Sequence, residues 1–189
     1  MVVERVRRMS VEDFLDFAEQ SEEYPMTTPT FRHNVISFNI ASRLGMLLAD
    51  QNCQALGMGQ GIRVAETRFL IPDVCLVCGE PLLEAASRIL LNPVLVAEVT
   101  SPTTINLDHG AKRDYYFNAP SIETYLIVDQ HRVFVESNTR SAAGWRRDVF
   151  DSLDDVIPLE RLGCALPLRE IYQTISFVDG AASGASDSN

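Results

Sequence analysis

The sequence predicts a mixed α/β (α+β) domain in which helices cover both faces of one mixed β-sheet. Segments with helical spacing of apolar residues alternate along the chain with short apolar segments typical of strands. Two of the predicted strands are apolar almost throughout, as expected of strands that are buried on both faces. The composition is 46% hydrophobic and 22% charged over 189 residues, which excludes a disordered, collagen-like or coiled-coil protein and favours one domain.

The first part of the chain predicts two helices and then strands. Ser10 and Asp13 resemble a helix start, so a short amphipathic helix is predicted over 11–20, and a loop rich in Pro and Thr leads to a helix over 32–49. Apolar residues at helical spacing support the second helix: Val35, Ile36, Ile40, Leu44, Leu47 and Leu48. Glycines then separate short segments, and strands are predicted over 62–64, 68–71 and 73–78.

The second part continues the alternation. A helix is predicted over 80–91, a strand over 94–100, and a helix over 106–118 that ends at Asn118-Ala119-Pro120. The remaining predicted elements are a hairpin of strands 123–128 and 132–136, a strand over 145–150, edge pieces at 156–157 and 164–166, and a helical turn over 168–172. We expect a single domain over residues 1–179 and a small, polar, disordered tail over 180–189.

The charge of the chain limits its partners. It carries 16 basic and 26 acidic residues, a net charge of -10, which argues against a protein that coats DNA without sequence preference. An enzyme that acts on nucleic acid is not excluded, because a metal ion can supply positive charge among carboxylates. No apolar segment reaches the ~20 residues of a membrane span, and the N-terminal residues lack the apolar core of a secretory signal. We therefore expect a cytoplasmic protein with no membrane partner.

Of the four cysteines, only Cys75 and Cys78 are close in sequence. A zinc ribbon would need a second such pair, and a thioredoxin-like site would place the motif at the start of a helix. Here the motif lies in a predicted strand, where side chains three residues apart point to opposite faces. We interpret both cysteines as small core residues.

Three charged residues lie where a purely structural role is awkward. Asp73 follows Pro72 at the head of one apolar strand, and Glu98 lies near the end of another. Lys112, the only lysine beside fifteen arginines, lies in the helix that follows. A buried carboxylate is costly unless it is paired or binds a metal, and two on neighbouring strands could hold one Mg²⁺ together with water and a phosphate. An ammonium beside them could orient the attacking water, so the set suits a metal-dependent phosphodiester hydrolase.

Four segments, in this order, resemble the Uma-two family of restriction endonucleases in the PD-(D/E)xK nuclease superfamily. They are Ile71-Pro72-Asp73-Val74, Val96-Ala97-Glu98-Val99-Thr100-Ser101-Pro102-Thr103-Thr104, Asp108-x-Gly110-x-Lys112-x-x-x-Tyr116, and Tyr125-Leu126-Ile127-Val128-Asp129. Each segment alone is weak evidence for the family, but the four together in this order are fairly specific to it. The resemblance runs from about His33 to the end of the folded chain. It implies a restriction-endonuclease-like fold.

The resemblance also implies roles for single residues. Asp73 and Glu98 would bind Mg²⁺ or Mn²⁺, with the Val99 carbonyl as a further ligand. In the superfamily motif the lysine stands two residues after the second acid; that position is Thr100 here, and Lys112 would be its substitute from the helix. Two further residues have supporting roles, Tyr116 one helical turn beyond Lys112 and His33 at the start of the second helix.

The chain departs from the family at the N-terminal side. Family members have a Tyr-Glu-Leu-x-Asp-Gly-Glu hairpin that adds an acidic residue to the site. Here only Ser21-Glu22-Glu23-Tyr24-Pro25-Met26 corresponds, so Glu22 or Glu23 is the candidate stand-in. The shorter segment favours, as an alternative, a partial site with weaker metal binding or no catalysis.

Simpler roles compete with these. Asp73 could cap a strand edge, Glu98 could pair with Arg63 or Arg113, and Lys112 could be a solvated helix residue. For the two supporting residues the alternatives are a packed helix aromatic at Tyr116 and local hydrogen bonding at His33.

The sequence thus predicts a Mg²⁺- or Mn²⁺-dependent DNA endonuclease. The resemblance also implies a homodimer, because superfamily nucleases often act as dimers when two strands need two active sites. The alternative is a nuclease-fold module that has lost catalysis and binds nucleic acid or protein. A hydrolase of small phosphorylated substrates is weaker, since no glycine loop is present to hold a phosphate.

Overall fold

A computed structural model describes residues 29–84, 86, 88–100 and 110–177. The chain divides into two compact units, residues 1–31 and 32–189, and the elements below lie in the second apart from the first residue of helix α1. The helices are α1 (Phe31–Leu47), α2 (Ala111–Asn118) and α3 (Leu168–Ile171). The strands are β1 (Cys53–Leu56), β2 (Gly61–Ala65), β3 (Arg68–Leu70), β4 (Val74–Cys78), β5 (Leu83–Glu84), β6 (Ile89–Leu90), β7 (Leu95–Thr100), β8 (Thr124–Asp129), β9 (Val135–Ser141), β10 (Gly144–Phe150), β11 (Val156–Leu159) and β12 (Cys164–Pro167).

The main sheet has six strands in the order β1-β4-β7-β8-β9-β10. Strands β7 and β8 are parallel, because α2 lies in the connection between them, and the other neighbours are antiparallel. The sheet is therefore mixed, as predicted. Two smaller sheets accompany it, β3-β2-β6-β5 and β11-β12.

Apolar clusters lie on the two faces of the main sheet. On one face, α1 buries Ile36, Ile40 and Leu44 in a cluster that includes Leu76 of β4 and Val99 of β7. The strand residues that alternate with these point to the other face. There they form the second cluster with Tyr116 of α2: Cys75, Val77, Val96, Tyr125 and Ile127. Every residue of β7 is buried, so the prediction of strands covered on both faces is confirmed.

The helix predicted over 80–91 is wrong. The described part of this segment forms β5 and β6, which pair with each other, and β6 pairs with β2 in parallel. The Asn92 side chain closes the segment, accepting a hydrogen bond from the Leu82 amide at 2.8 Å and donating one to the Glu80 carbonyl at 3.0 Å. Ala86 has a φ of 56°, which a right-handed helix cannot contain.

The interpretation of both motif cysteines as core residues is confirmed for Cys75, and Cys78 is partly buried against the core, but the sequence did not predict that Cys78 forms a disulfide. Cys75 is buried and free, whereas Cys78 forms a disulfide with Cys53. The cause is the antiparallel register of β1 and β4, which sets Cys53 opposite Cys78. Spacing along the chain does not reveal a register between strands 25 residues apart.

Other boundaries differ by a few residues. The strand predicted over 132–136 is β9 at Val135–Ser141, because the turn after β8 takes up residues 130–134. Several predictions lie outside the described residues: the helix over 11–20, Glu22 and Glu23, the start of the helix over 106–118, and the tail over 180–189. Within the part of the chain that the structure describes, no helix is both long and apolar enough to cross a membrane.

Candidate active site

Asp73 directly precedes strand β4, and Glu98 lies in the neighbouring strand β7. Strands β4 and β7 pair antiparallel with Val74 opposite Ala97, so one further step along the register brings Asp73 next to Glu98. Residues opposite each other in such a pair have Cβ atoms roughly 4.5–5.5 Å apart. The structure therefore brings together the two acids that the sequence singles out.

The Asp73 carboxylate is held at one oxygen. Its Oδ2 accepts a hydrogen bond from the Val99 amide at 2.7 Å, and Nε2 of His33 lies 3.1 Å from the same oxygen. Oδ1 has no hydrogen-bond donor among the described residues, although the side chain is only 15% exposed. Asp73 does tie the end of β4 to β7, as the strand-edge alternative implies, but one oxygen stays available to a ligand.

His33 reaches Asp73 from helix α1, across 40 residues of sequence. Burial by itself lowers the pKa of His33, but the hydrogen bond to Asp73 and its negative charge, with smaller contributions from Asn34 and Glu98, raise it above the usual 6.5. The alternative of purely local hydrogen bonding for His33 is therefore wrong. In its protonated form, His33 neutralises part of the charge at the site.

Both oxygens of the Glu98 carboxylate meet side chains of α2. The Tyr116 hydroxyl donates to Oε1 at 2.5 Å, and the Lys112 ammonium lies 3.0 Å from Oε2. Glu98 itself is 3% exposed, so these contacts offset the cost of burying its charge. Among the described residues, Lys112 rather than Arg63 or Arg113 lies beside Glu98: Arg63 pairs with Glu84, and Arg113 lies over the Phe117 ring.

Helix α2 supplies Lys112 and Tyr116 together because residues four apart share a helix face. Lys112 is thus not a purely solvated residue. Tyr116 is fully buried and packs on Tyr125 with ring centroids 4.8 Å apart, so it is at once a packed aromatic and a hydrogen-bond donor to Glu98. At the strand position of the superfamily lysine, the Thr100 hydroxyl donates to the Val128 carbonyl at 3.3 Å, leaving the ammonium to come from the helix.

Sequence reasoning missed Gln130, which closes the site end of β7. Its side chain is 1% exposed, and its Nε2 donates to the Thr100 carbonyl at 3.0 Å. Arg32 of α1 in turn donates to the Gln130 carbonyl at 3.4 Å. The turn Asp129-Gln130-His131 gave no signal of this, because a buried glutamine after a strand has no sequence signature.

Metal ligation by these residues stays a prediction. Over residues 29–84, 86, 88–100 and 110–177, no group of three or more His, Cys, Asp and Glu side chains is placed to hold a metal ion. The predicted ligands are fewer than that: two carboxylates and the Val99 carbonyl. Glu23, the candidate for a further acid, lies outside the described residues.

The mixed sheet with helices on both faces, and two acids and a lysine at adjoining positions, places the protein among those with a nuclease-like fold. A search of solved structures supports this. The crystal structure of "a putative nuclease belonging to DUF820" from Anabaena variabilis superposes with a TM-score of 0.62 at 14% identity, covering 76% of this chain and 82% of that one. At this identity the likeness shows the fold alone.

The chain belongs to the Uma2 family, described as "Putative restriction endonuclease", whose profile matches residues 19–169. The match begins before His33, where the resemblance was predicted to start, and so includes Glu22 and Glu23. Two relatives come from Synechocystis sp. The uncharacterized protein sll1609 is 26% identical over 147 residues, 72% of this chain and 83% of its own length. The uncharacterized protein slr1290 is 24% identical over 180 residues, 90% of this chain and 94% of its own length.

Proposed function

We propose that the protein is a Mg²⁺- or Mn²⁺-dependent endonuclease that hydrolyses phosphodiester bonds in DNA. One observation carries the proposal: Asp73 and Glu98 are adjacent across two strands, and the Lys112 ammonium lies 3.0 Å from the Glu98 carboxylate. Two acids and a lysine in this order, in a family described as "Putative restriction endonuclease", are the components that such a reaction needs.

The donor set fits a hard divalent cation. Mg²⁺ is usually held by one or two carboxylates, and waters and substrate phosphates complete its octahedral shell. Asp73, Glu98 and the Val99 carbonyl offer oxygen donors only, and Oδ1 of Asp73 has no donor within the described residues. A set this small agrees with a site that the substrate phosphate completes.

When bound, the metal would supply positive charge at the phosphate and lower the pKa of a bound water. The protein's own groups do the rest. His33 and the Val99 amide fix the Asp73 carboxylate, and Tyr116 fixes that of Glu98, so both acids are oriented before substrate arrives. The Lys112 ammonium would hold the attacking water or stabilise the negative charge that develops on the phosphate oxygens.

Titration calorimetry with Mn²⁺ tests the metal site. The wild type should bind Mn²⁺ and melt at a higher temperature in its presence, whereas the double variant Asp73→Ala/Glu98→Ala should do neither. Arg169→Ala serves as a control, because Arg169 lies on α3 and pairs with Asp154 at the surface. A well-folded wild type that binds no Mn²⁺ would overturn the metal site.

Cleavage is tested separately with supercoiled plasmid. Asp73→Asn keeps the size of the side chain and a hydrogen-bond acceptor for the Val99 amide, so the fold should persist while cleavage is lost. Full cleavage by a folded Asp73→Asn protein would contradict the proposed role of Asp73.

The second candidate function is a binding module without catalysis. The observation in its favour is that Lys112 and Tyr116 already satisfy both oxygens of Glu98, so the buried charge needs no metal. This module would bind nucleic acid or protein and would show no stabilisation by Mn²⁺. The calorimetric experiment therefore separates the two candidates.

A further inference from the structure

A second group of residues lies on the sheet face that carries Glu98, and we call it the arginine–aromatic surface. It comprises Arg113 and Phe117 of α2, Arg140 of β9, and Trp145 and Arg147 of β10. Phe117 and Trp145 stack with centroids 4.2 Å apart and planes within 9°. The Arg113 guanidinium carbon lies 5.5 Å from the Phe117 ring centroid, and that of Arg140 lies 4.6 Å from the Trp145 centroid.

Arg140 holds this surface together through hydrogen bonds to backbone carbonyls. Its guanidinium donates to the carbonyls of Ile122 at 2.9 Å, Phe117 at 2.9 Å and Ala119 at 2.8 Å. These bonds satisfy carbonyls at the end of α2 and fix the helix against β9. They also leave Arg140 few donors for a ligand.

Arg113 has N–H groups that make no hydrogen bond to the described residues. Within the described ranges it has no carboxylate partner, and its buried Nε has no hydrogen-bond acceptor. The ring of Phe117 one helical turn away holds the guanidinium through a cation–π contact instead. Arg113 also directly follows Lys112 in the helix, so it is the cation nearest in sequence to the proposed catalytic lysine.

The Arg147 guanidinium pairs with a buried carboxylate and is also exposed to solvent. Its Nη2 lies 2.6 Å from Oε2 of Glu136, a fully buried carboxylate that also accepts a hydrogen bond from Asn138 at 3.0 Å. The Arg147 side chain is nonetheless 57% exposed. Because a guanidinium has five N–H donors, this anchoring orients the group and leaves donors facing solvent.

The register of the sheet fixes where Arg147 stands relative to the site. Glu98, Ile127 and Glu136 lie side by side across β7, β8 and β9 on one face, and Arg147 stands in the adjoining row, opposite Asn138. Three strand spacings separate β7 from β10, a distance of about 15 Å. A DNA strand that rises about 3.4 Å per nucleotide spans this distance in about four nucleotides.

We propose that the arginine–aromatic surface binds the phosphodiester backbone of the DNA strand that leads into the Asp73–Glu98–Lys112 site, with Arg113 and Arg147 as the two phosphate contacts. This inference rests on the proposed function and specifies which side chains hold the DNA beside that site. Charge complementarity supports it: in a chain of net charge -10, these two arginines offer oriented donors on the face that carries the reacting groups. The stacked rings serve to hold the arginines in place.

The test is fluorescence anisotropy with a labelled DNA duplex, in Ca²⁺ buffer and in metal-free buffer, over a series of salt concentrations. The variants are Arg113→Gln and Arg147→Gln, the second of which keeps an amide donor for Glu136. Arg146→Gln is the matched control, because Arg146 is adjacent on β10, is 50% exposed and is paired with Asp148, but points to the opposite face. Thermal melts confirm that each variant is folded.

Each test variant should bind on the order of tenfold more weakly, and the slope of log K against log salt should fall by about 0.9, while Arg146→Gln matches the wild type. If the wild type binds DNA and Arg113→Gln and Arg147→Gln bind equally well, the surface is not the contact and the proposal is overturned. A wild type that binds no DNA overturns it too. DNA that is bound through these arginines but never cleaved with Mg²⁺ or Mn²⁺ would sustain the surface and overturn the proposed nuclease function.

Discussion

Lys112 and Glu98 form an ion pair between helix α2 and strand β7, with the ammonium nitrogen 3.0 Å from Oε2. The lysine reaches the acid from the helix rather than from its own strand, where Thr100 occupies the position two residues further on. The ammonium thus meets the acid from the helix, where the resemblance to the superfamily motif predicts the substitute lysine.

Replacing Lys112 should therefore remove activity. It should also lower the melting temperature, because the buried Glu98 carboxylate loses its cation, so the rate is measured on protein shown to be folded. Lys112→Met keeps the length of the side chain but removes the charge, and we expect plasmid cleavage to fall by about 100-fold or more, the usual effect of losing a donor to the transition state. Lys112→Arg should not restore the rate, because a planar guanidinium differs in size and shape from a compact ammonium and does not place its charge at the same point. Single-turnover cleavage rates measure this, and a Lys112→Met rate equal to that of the wild type would contradict it.

Tyr116→Phe should separate packing from hydrogen bonding at the site. The ring stays packed on Tyr125, but Oε1 of the buried Glu98 loses the donor now at 2.5 Å. We expect the free energy of unfolding to fall by about 1–3 kcal/mol, the cost of losing a hydrogen bond to a buried carboxylate, and the affinity for Mn²⁺ to change as the carboxylate reorients. Urea denaturation and calorimetry check the two effects, with Tyr115→Phe on the same helix as the control. If neither quantity changes, the hydroxyl has no role in positioning Glu98.

The sequence predicted the parts of the site that lie close together along the chain or on adjoining elements. Asp73 and Glu98 stood out because charge is rare in apolar strands, and Lys112 and Tyr116 because their spacing puts them on one helix face. The strand pattern likewise predicted β4, β7 and β8 well, since burial on both faces leaves near-continuous apolar segments.

What the sequence did not predict depends on pairing between distant segments. The His33–Asp73 contact spans 40 residues, and the Cys53–Cys78 bridge depends on the β1–β4 register. The segment over 80–91 has the composition of a helix, and tertiary pairing of β6 with β2 overrides it. The arginine–aromatic surface brings together α2, β9 and β10. Because its arginines come from these separate elements, no basic stretch of sequence predicts it.

The two free cysteines should differ in reactivity. Burial raises the pKa of the Cys75 thiol to about 12 and, to a smaller extent, that of the half-buried Cys164 thiol. Thiolate is the reactive form, so at pH 8 a thiol reagent should modify Cys164 in the folded protein and reach Cys75 only after unfolding. The raised pKa of Cys75 also means that its contribution to stability is complete below the unfolded pKa of about 9 and is lost as the pH rises towards 12. Cys164→Ser should abolish the fast reaction; rapid labelling of Cys75 in that folded variant would show that the β4 core is open.

Reducing the Cys53–Cys78 bridge should lower the stability of the edge of the main sheet. Among the described strands, β1 lies at the edge of that sheet and pairs with β4, and the bridge joins the two across a sequence separation of 25 residues. Closing a loop of this size stabilises a folded chain by about 3.5 kcal/mol in the chain-entropy description, which for a protein of this length corresponds to a melting temperature higher by about 7–14 °C. Melts of the wild type with and without a phosphine reductant measure the difference, and Cys53→Ala/Cys78→Ala should melt at the lower temperature in both conditions.

Since Asp73 lies at the opposite end of β4 from Cys78, binding of Mn²⁺ should persist in the reduced protein. A wild type whose melting temperature does not respond to the reductant, while mass spectrometry shows the bridge to be cleaved, would mean that β1 is held by its hydrogen bonds and packing alone.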